Sequence, residues 1–89
     1  MTPQEKIVLS QCLLVQLERA QPLALSLEWL MRGATLSGSR ANKRDIEHEL
    51  AALQTKGYVV CELNCMHLGL TRYRIGAEGL RYLESENLA

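Results

Sequence analysis

The stretch SRANKRDIEHELAALQTKG in the middle of the chain predicts one amphipathic helix with a defined end. Its apolar residues Ile46, Leu50 and Leu53 recur at i, i+4 and i+7, the spacing that places side chains on one stripe of a helix. Gly57 follows the last of them and is typical of the left-handed residue that caps a helix. We therefore expect a helix over 39–56 whose apolar side packs on a core.

The opposite side of this helix is predicted to be basic. At about 100° per residue, Arg40, Arg44 and His48 fall on the side away from the apolar stripe. Lys43 is expected nearer the packed side. The helix thus combines an apolar back with a front that carries two arginines and a histidine.

The length and charge of the chain limit what it can be. Its 89 residues indicate one domain over 1–89 with a small core. Ten basic residues balance ten acidic ones, so the net charge is zero. Strong nonspecific binders of polyanions usually carry an excess of Lys and Arg, so a role in DNA binding would depend on where the charges lie. The same balance fits a protein-binding module.

Several classes of protein are disfavoured by the absence of their sequence signals. We find no signal-peptide pattern and no run of about eighteen apolar residues, so we expect a soluble, cytoplasmic protein with no membrane partner. Cys12, Cys61 and Cys65 are an odd number with no CxxC pair, which fits a reducing compartment. No glycine-rich phosphate loop, nucleophile elbow or H-E-x-x-H motif occurs, so we expect no enzymatic activity, no catalytic residues and no cofactor.

A first helix is predicted over 3–20, with Thr2 as its N-cap, Pro3 at its first position and Glu5 in its first turn. A chain of this size can hardly surround a helix that is apolar on all sides, and excess apolar surface on a small protein indicates an interface. We therefore expect a homodimer to which residues 3–20 contribute. The apolar residues, which spread almost all the way round the helix, are Ile7, Val8, Leu9, Cys12, Leu13, Leu14, Val15, Leu17 and Ala20.

The segment after the first helix predicts a second, shorter one. A proline breaks the first helix, and a short extended piece follows over 23–25. Ser26 then caps a helix that ends near Gly33, and residues 35–38 form the turn into the central helix. Trp29, the single tryptophan, is interpreted as a core residue that wedges this helix against its neighbours, rather than as a binding aromatic.

Two strand-like runs, 58–63 and 70–75, are separated by residues 64–69 and predict a hairpin. In the second run Arg72 and Arg74 alternate with other residues, so the arginines are expected on one face of the sheet. The residues expected to turn toward the core are Tyr73 and Ile75.

The chain closes with a predicted helix over 77–86. It is expected to pack on the first helix through Leu80, Tyr82 and Leu83. The predicted order is helix, short extended piece, helix, helix, strand, strand, helix, which is a mainly α fold with a small β hairpin. This is the order of a winged helix-turn-helix domain.

Two segments, LAALQTKGYV and TRYRIGAEGLRYLE, resemble the closing signature of winged helix-turn-helix transcription regulators of the ArsR, MarR and PadR type. The first segment matches the pattern L-x-x-L-x-x-x-G-x-V at Leu50, Leu53, Gly57 and Val59. The second matches R-Y-x-L-T-x-x-G-x-x-x-L at Tyr73, Ile75, Gly79 and Leu83. Gly76 replaces the usual Thr or Ser, and Ala77 the usual proline; both residues are compatible with a helix start. The resemblance covers residues 22–84, and the small size also resembles compact winged-helix proteins encoded by Mu-like phages.

The resemblance implies a DNA-binding transcription regulator that acts as a homodimer, with the 39–56 helix as its recognition helix in a major groove. Arg40 and Arg44 would then address guanine edges or phosphates, and Asn42 would pair with adenine or act as a cap. Ser39 would touch phosphate and Lys43 the DNA backbone, while the wing arginines would lie near phosphate or the minor groove. The candidate DNA-binding residues are Ser39, Arg40, Asn42, Lys43, Arg44, His48, Arg72 and Arg74.

A second class of function remains open. Asp45, Glu47 and Glu49 crowd the same helix, and a mixture of charges on a helix is usually a solvated face. The presumed wing tip, residues 64–69, contains no Lys or Arg. Both features favour a winged-helix module for protein–protein interaction or assembly that does not bind DNA.

The hairpin also contains residues of the types that bind metal ions. Cys61, Cys65 and His67 share a face if the strand is regular, and His48 is a further candidate; thiolate and imidazole ligands suit zinc. However, the spacing C-x3-C-x-H is not that of a standard finger, and the CxC-type motif of metal-sensing relatives is missing. We therefore expect no metal site.

Overall fold

The computed structural model describes residues 2–63 and 71–88, although nothing is described of the Leu63 side chain. None of the helices in these two ranges is both long and apolar enough to cross a membrane. The predicted order of elements is confirmed. The elements are α1 (Pro3–Ala20), β1 (Leu25–Ser26), α2 (Leu27–Leu36), α3 (Lys43–Thr55), β2 (Val59–Leu63), β3 (Thr71–Ile75) and α4 (Ala77–Ser85).

The helix α1 lies at the centre of the fold and contacts α2, α3, α4 and β3. Its predicted start is confirmed, since the Thr2 side chain accepts a hydrogen bond of 3.1 Å from the Glu5 backbone N–H. Leu13, Leu14 and Leu17 are completely buried. The apolar residues on several sides of α1 are therefore explained largely within one chain, because different elements cover different sides of the helix.

The helix α2 is longer than predicted and ends at Leu36. As predicted, Ser26 caps it by accepting a hydrogen bond from the Trp29 backbone N–H. The prediction that Trp29 lies in the core is wrong, since this residue is 57% exposed. The reason is the phase of the helix: Leu30 and Ala34, four residues apart, point into the core, and a side chain one position earlier is turned by about 100°.

The helix α3 starts at Lys43, four residues later than predicted. The Asn42 side chain accepts a hydrogen bond of 2.9 Å from the Asp45 backbone N–H, and the Asp45 carboxylate accepts one of 3.2 Å from the Asn42 N–H. This reciprocal capping box satisfies two backbone donors and begins the helix. Ser39 and Arg40 therefore precede α3 rather than belonging to it.

The apolar face and the end of α3 are as predicted. Ile46, Leu50 and Leu53 are all buried. Gly57 has φ of +79°, and the Tyr58 N–H reaches back to the Leu53 carbonyl oxygen at 2.9 Å. This is the Schellman arrangement, in which a left-handed glycine ends the helix.

The strands form an antiparallel sheet in the order β1-β3-β2. The predicted faces of β3 are confirmed: Tyr73 is half-buried and Ile75 is buried, whereas Arg72 and Arg74 are exposed. The predicted hairpin loop, residues 64–69, lies outside the described residues. The inner face of the sheet packs on the helices. The two arginines lie on its outer face, where their charged groups stay in contact with water.

The last helix, α4, closes the core through Leu83, which is completely buried. The Gln11 side chain of α1 donates a hydrogen bond of 3.2 Å to the Tyr82 hydroxyl, as expected for a helix that packs on α1. At Gly79 the helix passes so close to the chain before β2 that a Cβ would overlap the Tyr58 carbonyl oxygen. The glycine of the motif is therefore explained by backbone contact.

Candidate nucleic-acid interface

Basic side chains gather at the start of α3. Arg40 lies just before the helix, and Lys43 and Arg44 lie in its first turn; all three are exposed. Lys43 precedes the buried Ile46 and Leu50 by three and seven residues, so it lies nearer the packed side as expected, but its side chain at the start of the helix is 67% exposed. His48 is exposed one turn further along. This basic start of α3, defined by Arg40, Lys43, Arg44 and His48, is available to an anionic partner.

The two polar candidates in the same segment have structural roles. The half-buried Ser39 accepts a hydrogen bond of 3.1 Å from the Ala41 backbone N–H. Its own N–H bonds to the Ala34 carbonyl oxygen at 2.9 Å, next to Gly38 with φ of +90°. Of the two roles predicted for Asn42, the structure contains the cap. These contacts set the short connection between α2 and α3.

The acidic residues of α3 are largely engaged within the chain. Asp45 belongs to the capping box described above. Glu49 accepts a hydrogen bond of 2.6 Å from the Ser10 hydroxyl on α1. Glu47 lies 4.0 Å from the Lys43 ammonium group, a distance at which an exposed pair contributes little. Two of the three carboxylates thus attach α3 to its own backbone or to α1.

The two arginines of β3 lie on a different surface. They occupy the outer face of the sheet, and the Arg74 Nε atom lies 2.9 Å from the Glu62 carboxylate. Arg72 stands directly opposite Glu62 in the strand register. Glu62 therefore partly neutralises the positive charge of this pair of arginines. Of the eight predicted residues, the structure brings six together at and beside the start of α3 and places these two on the sheet.

Tyr73 occupies the inner face of the sheet, opposite Cys61 in the register. Burial raises the pKa of the Tyr73 hydroxyl above its ordinary value, and the negative charges that Cys61 and Glu47 can carry raise it further. The phenol therefore stays neutral at physiological pH.

Of the residues considered as metal ligands and not expected to bind a metal, Cys65 and His67 lie outside the described residues. Within residues 2–63 and 71–88, no three side chains of His, Cys, Asp or Glu are grouped to hold a metal ion. Cys61 is half-buried beside Tyr73, and His48 lies on α3.

A groove that the sequence reasoning missed lies beside the basic start of α3. It has a volume of about 710 Å³ and separates the N-terminal half of α1 from residues 37–41. Val8, Leu9 and Cys12 form its α1 wall, and Arg40 belongs to the opposite wall. The excess of apolar residues in the first half of α1 is a sequence signal for such a groove. The opposite wall, residues 37–41, is identified only from the folded structure.

The sequence matches no protein-family model, and comparison with curated proteins and with solved structures finds no similar protein. The resemblance to winged-helix regulators therefore depends on the motif residues and on the order of elements.

Proposed function

We propose that this chain is a winged-helix DNA-binding protein, a transcription regulator that acts as a homodimer and uses α3 as its recognition helix. The observation that carries the proposal is the exposed basic start of α3 on a helix whose back is fixed in the core. In helix-turn-helix proteins the N-terminal part of the recognition helix contacts base edges in the major groove. Arg40 and Arg44 are suited to guanine edges or phosphates, and Lys43 to phosphates.

The arrangement around α3 supports this proposal in two further ways. The order α1-β1-α2-α3-β2-β3-α4 is the order that the winged-helix resemblance implies. In addition, the capping box holds the Asp45 carboxylate against its own helix backbone, and the Ser10 hydroxyl holds that of Glu49 toward α1, so neither forms an ion pair with a basic side chain among residues 2–63 and 71–88. Within those residues Arg40 and Arg44 have no ionic partner, so both can contact phosphate without first breaking an ion pair.

The balanced charge of the chain defines what kind of binding to expect. Because the net charge is zero, attraction to DNA must come from the local cluster on α3, and the affinity for random DNA should be modest. Arg72 can approach phosphate from the sheet, whereas Arg74 must first give up its contact with Glu62. We therefore assign α3 the main role and the β3 arginines a secondary one.

A protein-interaction module is the second candidate, and the exposed side of α2 favours it. Trp29, Arg32 and Leu36 recur at i, i+3 and i+7, with Trp29 57% and Leu36 88% exposed. The Arg32 guanidinium lies 5.8 Å from the centre of the Trp29 ring. Tryptophan and arginine are enriched among the residues that dominate protein interfaces. This α2 stripe is the surface that a partner protein would use.

One experiment separates the two functions. The native protein is titrated against mixed-sequence duplex DNA by fluorescence anisotropy, first at low salt and then at increasing salt. The DNA-binding proposal expects binding at low salt that weakens steeply as salt rises, because counterions are released from the phosphates. Absence of binding at low salt by folded protein would overturn it and leave the α2 stripe as the functional surface.

A further inference from the structure

One side of α1 is not covered by the other elements of the part of the chain that the structure describes. Ser10 faces α3, Gln11 faces α4 and Gln16 faces α2, as their hydrogen bonds show. The remaining side includes Val8, which is 60% exposed, while Val15, seven residues later, lies at the edge of this side, half-buried and packed against the core. No charged residue occurs between Lys6 and Glu18. This uncovered face is thus apolar and uncharged over the middle of the helix.

The charges at the two ends of this face are opposite in sign. Glu5, Cys12 and Arg19 recur at i, i+7 and i+14, a spacing that keeps them on nearly the same side of a helix. Glu5 and Arg19 are exposed, and neither has an ionic partner among residues 2–63 and 71–88. Cys12 lies midway between them. The stripe is therefore complementary to itself when it is reversed.

We propose that a second copy of this chain packs its α1 antiparallel against this face, with the two-fold axis at Cys12. Glu5 of each copy then lies beside Arg19 of the other, whereas a parallel pair would place like charges together. The two copies also cover each other's Val8, and the same surface serves both, as a two-fold interface requires. This geometry rests on the homodimer of the proposed function and gives it a specific register.

The proposed axis also connects the dimer to α3. Cys12 and Val8 form a wall of the groove whose other wall includes Arg40. A second α1 packed beside Cys12 therefore borders the segment that leads into α3. The dimer would fix the separation of the two α3 helices by way of these contacts.

Cross-linking at Cys12 tests the position of the axis. The Cys61→Ser/Cys65→Ser variant keeps only Cys12, and the Cys12→Ser/Cys65→Ser variant, its matched control, keeps only Cys61. Treatment with a short bismaleimide is expected to give a covalent dimer of the first variant and not of the second. A protein that sediments as a monomer at all concentrations, or a dimer that does not cross-link through Cys12, would overturn the proposal.

Charge reversal tests the direction of packing. Glu5→Lys and Arg19→Glu are each expected to weaken the dimer about tenfold, since every dimer contains two such pairs and each variant replaces attraction by repulsion. The double variant, which exchanges the two charges, is expected to recover most of the affinity in analytical ultracentrifugation. Single variants without effect, or a double variant as weak as the single ones, would contradict antiparallel packing.

Neither test involves DNA, so the outcomes for the dimer and for DNA binding are independent. A Cys12-linked dimer that fails to bind duplex DNA would keep this interface and remove the DNA-binding function. Binding of DNA by a monomer would keep the DNA-binding function and remove the α1 interface.

Discussion

The Ser10 hydroxyl on α1 donates a hydrogen bond of 2.6 Å to the Glu49 carboxylate on α3. This contact joins the central helix to the candidate recognition helix. Because Glu49 is held against α1, the side of α3 that carries Arg44 and His48 is directed outward. A carboxylate that looks unfavourable for DNA binding in the sequence thus helps to orient the basic residues.

Loss of this bond should lower stability. We expect Ser10→Ala to reduce the free energy of unfolding by about 1 kcal/mol, since a partly buried carboxylate loses a hydrogen-bond donor. Ser85→Ala is the matched control, because that hydroxyl donates a bond of 3.3 Å to the Tyr82 carbonyl oxygen at the exposed end of α4. Urea unfolding followed by circular dichroism measures the free energy of unfolding of both variants. Equal losses of free energy would show that the hydrogen bond to Glu49 stabilises the fold no more than the exposed bond of Ser85 does.

Gly79 should be intolerant of any side chain. Gly79→Ala places a Cβ in overlap with the Tyr58 carbonyl oxygen and 2.9 Å from Cγ1 of Ile75. We expect a loss of about 2 kcal/mol, although alanine is the better helix former. Gly33→Ala is the comparison, since the three atoms nearest to a Cβ there all belong to the flexible Gln16 side chain. Thermal unfolding should show a much smaller change for Gly33→Ala; the opposite ranking would mean that α4 does not approach Tyr58 so closely.

Trp29 and Leu30 should differ sharply despite being neighbours. Leu30 is completely buried, so Leu30→Ala is expected to cost about 2–5 kcal/mol of stability. Trp29 is 57% exposed, and Trp29→Ala should cost less than about 1 kcal/mol. Circular dichroism is the required probe, since the second variant lacks the only tryptophan. A large loss in Trp29→Ala would place its ring in the core after all.

Tyr73 should make stability fall in alkaline solution. Its pKa in the folded chain is raised above 10.0, chiefly by burial, so the unfolded chain loses this proton first as pH rises. The contribution of the neutral phenol is therefore fully present below the unfolded pKa and is lost as pH rises through the folded one. We expect the stability difference between the native protein and Tyr73→Phe to shrink or reverse above about pH 10. A difference that is constant with pH would contradict this environment.

Local signals in the sequence predicted much of the fold. The bounds of α1 were correct because Thr2 and Pro3 are strong start signals, and Gly57 marked the end of α3. The helix α3 begins four residues later than predicted, because the spacing of Ile46, Leu50 and Leu53 defines a face of the helix and not its first residue. The better signal was the pair Asn42 and Asp45, whose spacing of three allows a reciprocal capping box.

The remaining errors and omissions depend on tertiary contacts. The large apolar side chain of Trp29 predicts a core position, whereas its exposure follows from the phase of α2, whose packed side is defined only by the fold. The outward position of Arg40, Arg44 and His48 follows from the helical period and agrees with their exposure. The contact of Ser10 with Glu49 joins elements that are far apart in the sequence, and that of Arg74 with Glu62 depends on the register of two paired strands, so no local pattern predicts either contact.

The most direct test of the central claim is the salt dependence of DNA binding in two matched double variants. We expect Arg40→Ala/Arg44→Ala to bind more weakly than the native protein, with a slope of log K against log salt that is shallower by about 2, because two phosphate contacts are lost. Arg32→Ala/Arg81→Ala removes the same charge from the exposed surfaces of α2 and α4 and should keep the native slope. Equal effects of the two variants, or no binding of DNA at low salt by the native protein, would contradict the role of α3 as a recognition helix.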